Sequence, residues 1–259
     1  MSIYRLALSA FGVLMVVFLV APTLVLVPVS FSSGRALQFP PPGFSLRWYE
    51  TIVTSPTWSF STVVSFQIAV LTAILASILG TLAAFGLVRG RFPGQSVANA
   101  VLLSPMIVPV VIIAIGMFAV FASWRLAGSP LALIIAHTVL ALPYVVVNVG
   151  ASLRTVDRTL EAASMNLGAG PLTTFRYVTL PLILPGVLAG ALFAFIVSWD
   201  EVVVSIFLSS PFLQTLPVVM WNQISEAVDP TVAAVATLLT FATTILFALA
   251  TFVQRRSER

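Results

Sequence analysis

A chain of 259 residues that is 59% hydrophobic and only 8% charged cannot hide its apolar surface in a water-soluble domain, so its solvent is lipid. The net charge of +4 does not point to nucleic acid, because the arginines are scattered singly rather than gathered on one face. With no cysteine, no lysine and one histidine, His137, the chain has no disulfide, no P-loop lysine and no zinc ligand set.

Uncharged runs set off by isolated charges predict an all-α membrane protein with six helices, near 6–29, 61–88, 97–122, 131–151, 182–208 and 230–253. The runs are continuous rather than alternating, which excludes a barrel. The first is too long for a signal-peptide core and no small-residue cleavage site follows it, so it is expected to remain as an anchor. The stretch "FPPPGFSLRWYETI" that comes next is expected to lie along the membrane surface. In span three, Pro105 and Pro109 ("SPMIVPVV") are expected to bend the helix, with gating as a lesser role.

Span four carries His137, read as a hydrogen-bonded packing residue. Span five carries Gly186 and Gly190, a GxxxG pair that allows close helix contact inside this chain or with a partner. Near its far end "SWDEVVV" brings Trp199, Asp200 and Glu201. A carboxylate there is costly against lipid, so at least one is expected to face a cavity, a solute or His137. Asp200 is the one aspartate in a span, too few for an intramembrane aspartyl protease. The uncharged stretch Val202–Ser225 contains "SSPFLQTLP", read as a loop with a short interfacial helix rather than a seventh span.

Six spans with both termini in the cytoplasm put Arg5, Arg89, Arg91, Arg154, Arg158, Arg176, Arg255, Arg256 and Arg259 inside and only Arg35, Arg47 and Arg125 outside. Trp48, Tyr49, Trp58, Trp124 and Trp221 are expected at the outer interface, beyond the helices. No repeat or soluble segment interrupts the chain, so residues 1–259 read as one transmembrane domain.

Between spans four and five lies a polar stretch, residues 154–181. Glu161, Ala162 and Ala163 suit a short helix, Gly168 ends it, and Gly170-Pro171 separates it from a second helical piece that enters the membrane at Leu180-Pro181. Met165, Leu167 and Phe175 are apolar groups that need a partner surface outside the bilayer. A solvated linker would need neither the helix formers nor the defined break.

The segment "EAASMNLGAGPLTTFRYVTLP" resembles the EAA motif of binding-protein-dependent ABC importer permeases of type I. Glu161, Ala162, Ala163, Gly168, Leu180 and Pro181 match it, and Val178 stands where isoleucine is more usual. With "FPPPGFSLRWYE", "AHTVLALPYVVVNV" and "LPLILPGVLAGALFAFIVSWDEVVVSIFLS", the resemblance extends over nearly the whole chain and is nearest the spermidine/putrescine-type permeases.

The resemblance implies a non-catalytic permease in the bacterial inner membrane whose hairpin docks on a cytoplasmic ATPase. Two copies of that ATPase would hold ATP and Mg2+, this chain binding no cofactor itself. A second permease subunit would complete the pathway, most simply as a heterodimer, and a periplasmic or lipid-anchored binding protein would deliver the solute. On this reading Trp199, Asp200 and Glu201 are candidates for the pathway of a polyamine or similar cation. A non-polyamine importer is one alternative. An ion-coupled secondary transporter is another, since it could use Asp200 and Glu201 but gives the hairpin no task.

Overall fold

The computed structural model describes residues 3–226 and 229–257, so Arg259 and its expected side of the membrane lie outside the described residues. The helices in chain order are α1 (Ile3–Ser30), α2 (Arg47–Thr54), α3 (Pro56–Arg89), α4 (Gln95–Leu103), α5 (Val110–Ser123), α6 (Pro130–Thr155), α7 (Arg158–Asn166), α8 (Pro171–Thr174), α9 (Leu180–Trp199), α10 (Val203–Leu208), α11 (Leu216–Glu226) and α12 (Pro230–Ser257). A 3-10 turn, Ser104–Met106, follows α4, and a π-helical segment, Phe175–Thr179, joins α8 to α9. Four helical stretches among the described residues are long and apolar enough to cross a bilayer: Ala7–Ser30, Pro56–Arg89, Pro130–Thr155 and Pro171–Trp199. A shorter apolar helical stretch runs over Pro230–Ile245.

The chain divides into two compact units, Met1–Phe60 with Val219–Thr244, and Ser61–Val218 with Ile245–Arg259. In the first, α1 presents apolar side chains on every face, as a helix solvated by lipid does. The segment after it is pinned down. The Trp48 indole donates to the Ser32 carbonyl at 2.7 Å, Arg47 donates to the Gly34 carbonyl at 2.8 Å, and the Arg47 guanidinium lies 4.1 Å from the Trp48 ring centre. The Tyr49 and Ser30 hydroxyls meet at 2.7 Å.

The second unit is built around α6. Ser129 caps it by accepting from the Ala132 N–H, and Pro130 occupies the first turn, where its missing N–H costs nothing. Ala132, Leu133, Ala136, His137, Leu140, Ala141, Val145, Val149 and Leu153 are buried along it, and their helical spacing makes a continuous apolar stripe. One core joins the N-terminal half of this stripe to α3, α5 and α10 through Val64, Ile68, Phe121, Val204 and Leu208. A second joins the other half to α3 and α9 through Ala76, Ala84, Ile183 and Ala194.

Three expectations change. The predicted span at 97–122 is two helices bent by 102° across Ser104–Pro109. Pro105 sits in the 3-10 turn and Pro109 precedes α5 in an extended conformation, so neither donates an N–H to a continuing helix. The predicted span at 182–208 ends at Trp199 and restarts as α10 at Val203. Trp58 lies inside α3 and is buried, because Pro56 starts that helix a full turn earlier than expected. The stretch Val202–Ser225 carries two short helices, α10 and α11, around a turn bridged between Ser210 and Leu213.

Candidate functional site

The polar stretch 154–181 folds as a helix–turn–helix. The Asp157 carboxylate accepts from the Thr159 N–H at 2.9 Å and so caps α7. That bond, with the Thr159 hydroxyl and the nearby Arg89 charge, holds the Asp157 carboxyl below its ordinary value of 3.8. At the far end Gly168 has φ +89, the left-handed conformation that closes a helix most cheaply with glycine. The Gly168 N–H donates to the Met165 carbonyl and the Ala169 N–H to the Ser164 carbonyl. Pro171 then opens α8, and the chain runs helical from there to Trp199.

The turn presents apolar side chains outward. Leu167 is 89% exposed and Leu172 79%, with Met165 and Leu160 about half exposed. Phe175 turns the other way, its ring edge-on to Phe85 at 5.7 Å. Ala162, Ala163 and Pro181 are exposed, and Leu180 packs at the margin of the second core.

Glu161 turns inward. Its Oε1 accepts from the Arg89 guanidinium at 3.2 Å and from the Thr179 hydroxyl at 3.1 Å. Arg89, the last residue of α3, also donates to the Val156 carbonyl at 3.0 Å, and Arg158 donates to the Val88 carbonyl at 3.0 Å. The Ser164 and Thr174 hydroxyls meet at 3.0 Å across the hairpin. Arg89 and Thr179 were not among the candidates read from sequence. The visible signal for Arg89 is its place as the first charge after the long neutral run that follows Glu50.

A second group of candidates lies at the far end of α9. His137 is buried and hydrogen-bonds through both ring nitrogens, Nδ1 to the Ser198 hydroxyl at 2.8 Å and Nε2 to the Ser205 hydroxyl at 3.0 Å. It therefore ties α6 to both sides of the break between α9 and α10. The expected pairing with Asp200 is not made: two serines satisfy the imidazole, and the helix ends before a carboxylate reaches it. Glu201 Oε1 accepts from the Val204 N–H at 2.8 Å and so caps α10. Asp200, one residue earlier, is exposed; its N–H donates to the Ile196 carbonyl at 3.1 Å, and its carboxylate has no hydrogen bond or ion pair among the described residues. Trp199 stacks on Phe195 at 5.7 Å and meets Phe66 edge-on.

Gly186 and Gly190 face α6 of the same chain. A Cβ at Gly190 would lie 2.9 Å from the Val145 Cα, and one at Gly186 would lie 2.9 Å from the Asn148 carbonyl oxygen. The α6–α9 seam closes this tightly only because neither position carries a side chain.

Residues 76–259 match the family described as binding-protein-dependent transport system inner membrane component. The putrescine transport system permease protein PotI of Escherichia coli K12 is 35% identical over 249 residues, covering 93% of this chain and 88% of that protein. The spermidine/putrescine transport system permease protein PotC of Haemophilus influenzae is 33% identical over 251 residues, covering 96% and 97%. A chain of a bacterial ABC transporter that imports the acidic polysaccharide alginate superposes with a TM-score of 0.76 at 14% identity, covering 96% of this chain and 95% of that one.

Proposed function

The chain belongs to the family of binding-protein-dependent transport system inner membrane components, and from that premise we propose that it is the permease subunit of an ATP-driven importer for a polyamine or similar small cation. It is a multi-pass protein of the bacterial inner membrane. The observation that carries the importer reading is the exposed apolar tip of the hairpin. Leu167 projects from the capped, structured turn and Leu172 from the first residues of the helical stretch that follows it, and this chain covers neither. An ATPase subunit with a matching groove would cover them, and its closure on ATP would move the hairpin and α9 together. This chain brings no ATP site of its own, so ATP and Mg2+ would sit on two ATPase copies. A second permease would complete the pathway, and an external binding protein would load it. Six crossings follow when α4 with α5 counts as one and α12 as the last.

The cationic solute rests on two supports. The relatives are named for putrescine and spermidine. Asp200 offers an exposed carboxylate without an ion pair among the described residues, at the α9–α10 break and next in sequence to Trp199, and a carboxylate suits an alkylammonium ion.

Purification in mild detergent tests the first part, with co-purifying ATPase subunits as the expected result. Reconstituted complex with its binding protein tests the second: labelled putrescine should enter on ATP addition, and unlabelled polyamines but not acidic or neutral solutes should compete. ATP-independent uptake driven by an ion gradient would replace this reading with a secondary transporter. Orientation is tested by single cysteines on this cysteine-free background. Thr173→Cys and Ser96→Cys, both exposed, should react only from the cytoplasm and Ser33→Cys only from outside.

A further inference from the structure

The glutamate of the hairpin has two possible employments, one outward toward an ATPase and one inward. Its geometry is inward. The Arg89 and Glu161 side chains are only 11% and 15% exposed, and one carboxylate oxygen serves both the guanidinium and the Thr179 hydroxyl. These three residues come from the end of α3, the first half of the hairpin and the root of α9. The bonds flanking them, Arg89 to the Val156 carbonyl and Arg158 to the Val88 carbonyl, fasten the start of α7 to the same helix end. Beneath lies a cavity of about 100 Å³ lined by Phe85, Glu161, Met165, Thr174, Phe175 and Thr179.

We propose that Arg89 is a positioning residue for coupling: it locks Glu161, and through it α7, to the ends of α3 and α9, so that a push on the hairpin tip is transmitted to the membrane helices instead of being absorbed by the loop. This deepens the importer reading and rests on it. A loop held at one end only would swing on Val156–Asp157, the short extended link between α6 and α7. The Arg89–Glu161–Thr179 contact closes that link into a triangle of three elements. A charge pair so little exposed is damaged more by losing one partner than by losing both, because a single loss strands the other charge.

The test is a double-mutant cycle in the complete reconstituted complex, comparing Arg89→Gln, Glu161→Gln and the double variant. Each single change should lower solute imported per ATP hydrolysed by about tenfold while ATPase subunits stay bound, and the double should lose no more than the worse single, the non-additivity expected of residues in contact. Arg89→Lys, which keeps charge and a donor, should recover most of the ratio. Multiplying losses in the double variant would overturn the lock, because Glu161 would then act separately from Arg89. Normal import per ATP in Arg89→Gln would overturn it as well. If Arg89→Gln fails to assemble, adding Glu161→Gln decides: restored assembly supports the lock and unchanged failure refutes it. Failure of the importer reading itself has a different signature, the absence of ATPase from the unaltered complex.

Discussion

Replacing Gly190 by alanine is the smallest change that presses on the α6–α9 seam. The added Cβ would sit 2.9 Å from the Val145 Cα and 3.3 Å from its Cγ1. The first is roughly half an ångström short of ordinary contact, and it is backbone, so no rotamer change relieves it. Alanine gains about 0.8–1 kcal/mol over glycine in a helix, and overpacking against an unyielding neighbour costs about 1–3 kcal/mol. The net runs from about zero to a loss of about 2 kcal/mol, and the overpacking cost alone, about 1–3 kcal/mol, separates this variant from one that gains the propensity without the clash. Gly116 in α5 provides the reference, since a Cβ there meets nothing within 4 Å and only the helix-propensity gain applies. At about 2–4 °C per kcal/mol for a protein of this size, Gly190→Ala should melt up to roughly 8 °C below wild type and Gly116→Ala above it, the two variants differing by about 2–12 °C. Both are read as loss of the monodisperse peak of purified protein in detergent at one fixed heating rate. Equal midpoints for the two variants would refute the reasoning, by showing that the seam has slack to admit a methyl group.

Three further outcomes are expected. Gly168→Val should lose ATPase association while inserting normally. A Cβ there has open space, so the penalty is the left-handed backbone alone, about 1 kcal/mol or more, and Gly168→Asn should be milder; equal association for valine and wild type would remove the turn from the contact. Asp200→Asn should abolish cation uptake in an assembled, ATP-hydrolysing complex, whereas Glu201→Gln, which still caps α10, should keep most of it; the reverse ranking would move the solute contact to Glu201. The Asp157 cap has its folded pKa depressed, so its contribution is complete above the ordinary carboxylate value of 3.8 and is lost only as pH falls through the lower, folded value. ATPase retention should therefore be flat from neutral down to about pH 5 on the hairpin side, and a drop within that range would assign the hairpin to another titrating group.

Much of the architecture is written locally. Gaps between charges mark α1, α3 and α6, Ser129-Pro130 marks the start of α6, and Gly168 with Gly170-Pro171 marks the hairpin turn. Pro105 and Pro109 announced a bend, but its 102° depends on two helices that each pack separately. The break at Asp200–Val202 had no announcement, since no glycine or proline punctuates "SWDEVVV". It is held by contacts that exist only in the fold, His137 to Ser198 and Ser205, with Glu201 turned back to cap α10. Arg89 and Glu161 stand 72 positions apart, and nothing near either residue specifies the other.

The π-helical segment Phe175–Thr179 also settles a matter of counting. The residues buried along this rod include Thr174, Thr179, Ile183, Gly186 and Gly190, and the steps between these five run five, four, three and four. An α-helix keeps one azimuth with steps of three and four; a step of five overshoots by about 140°. The wider turn absorbs the surplus residue and brings Thr174, which meets Ser164, into line with Thr179, which meets Glu161. The hairpin root and the glycine seam are therefore indexed like two gears on one shaft. Deleting one residue between Thr174 and Thr179 would let the wide turn relax to an ordinary α-turn with the two gears still in line, whereas deleting one between Thr179 and Gly186 would turn one gear by about 100° against the other.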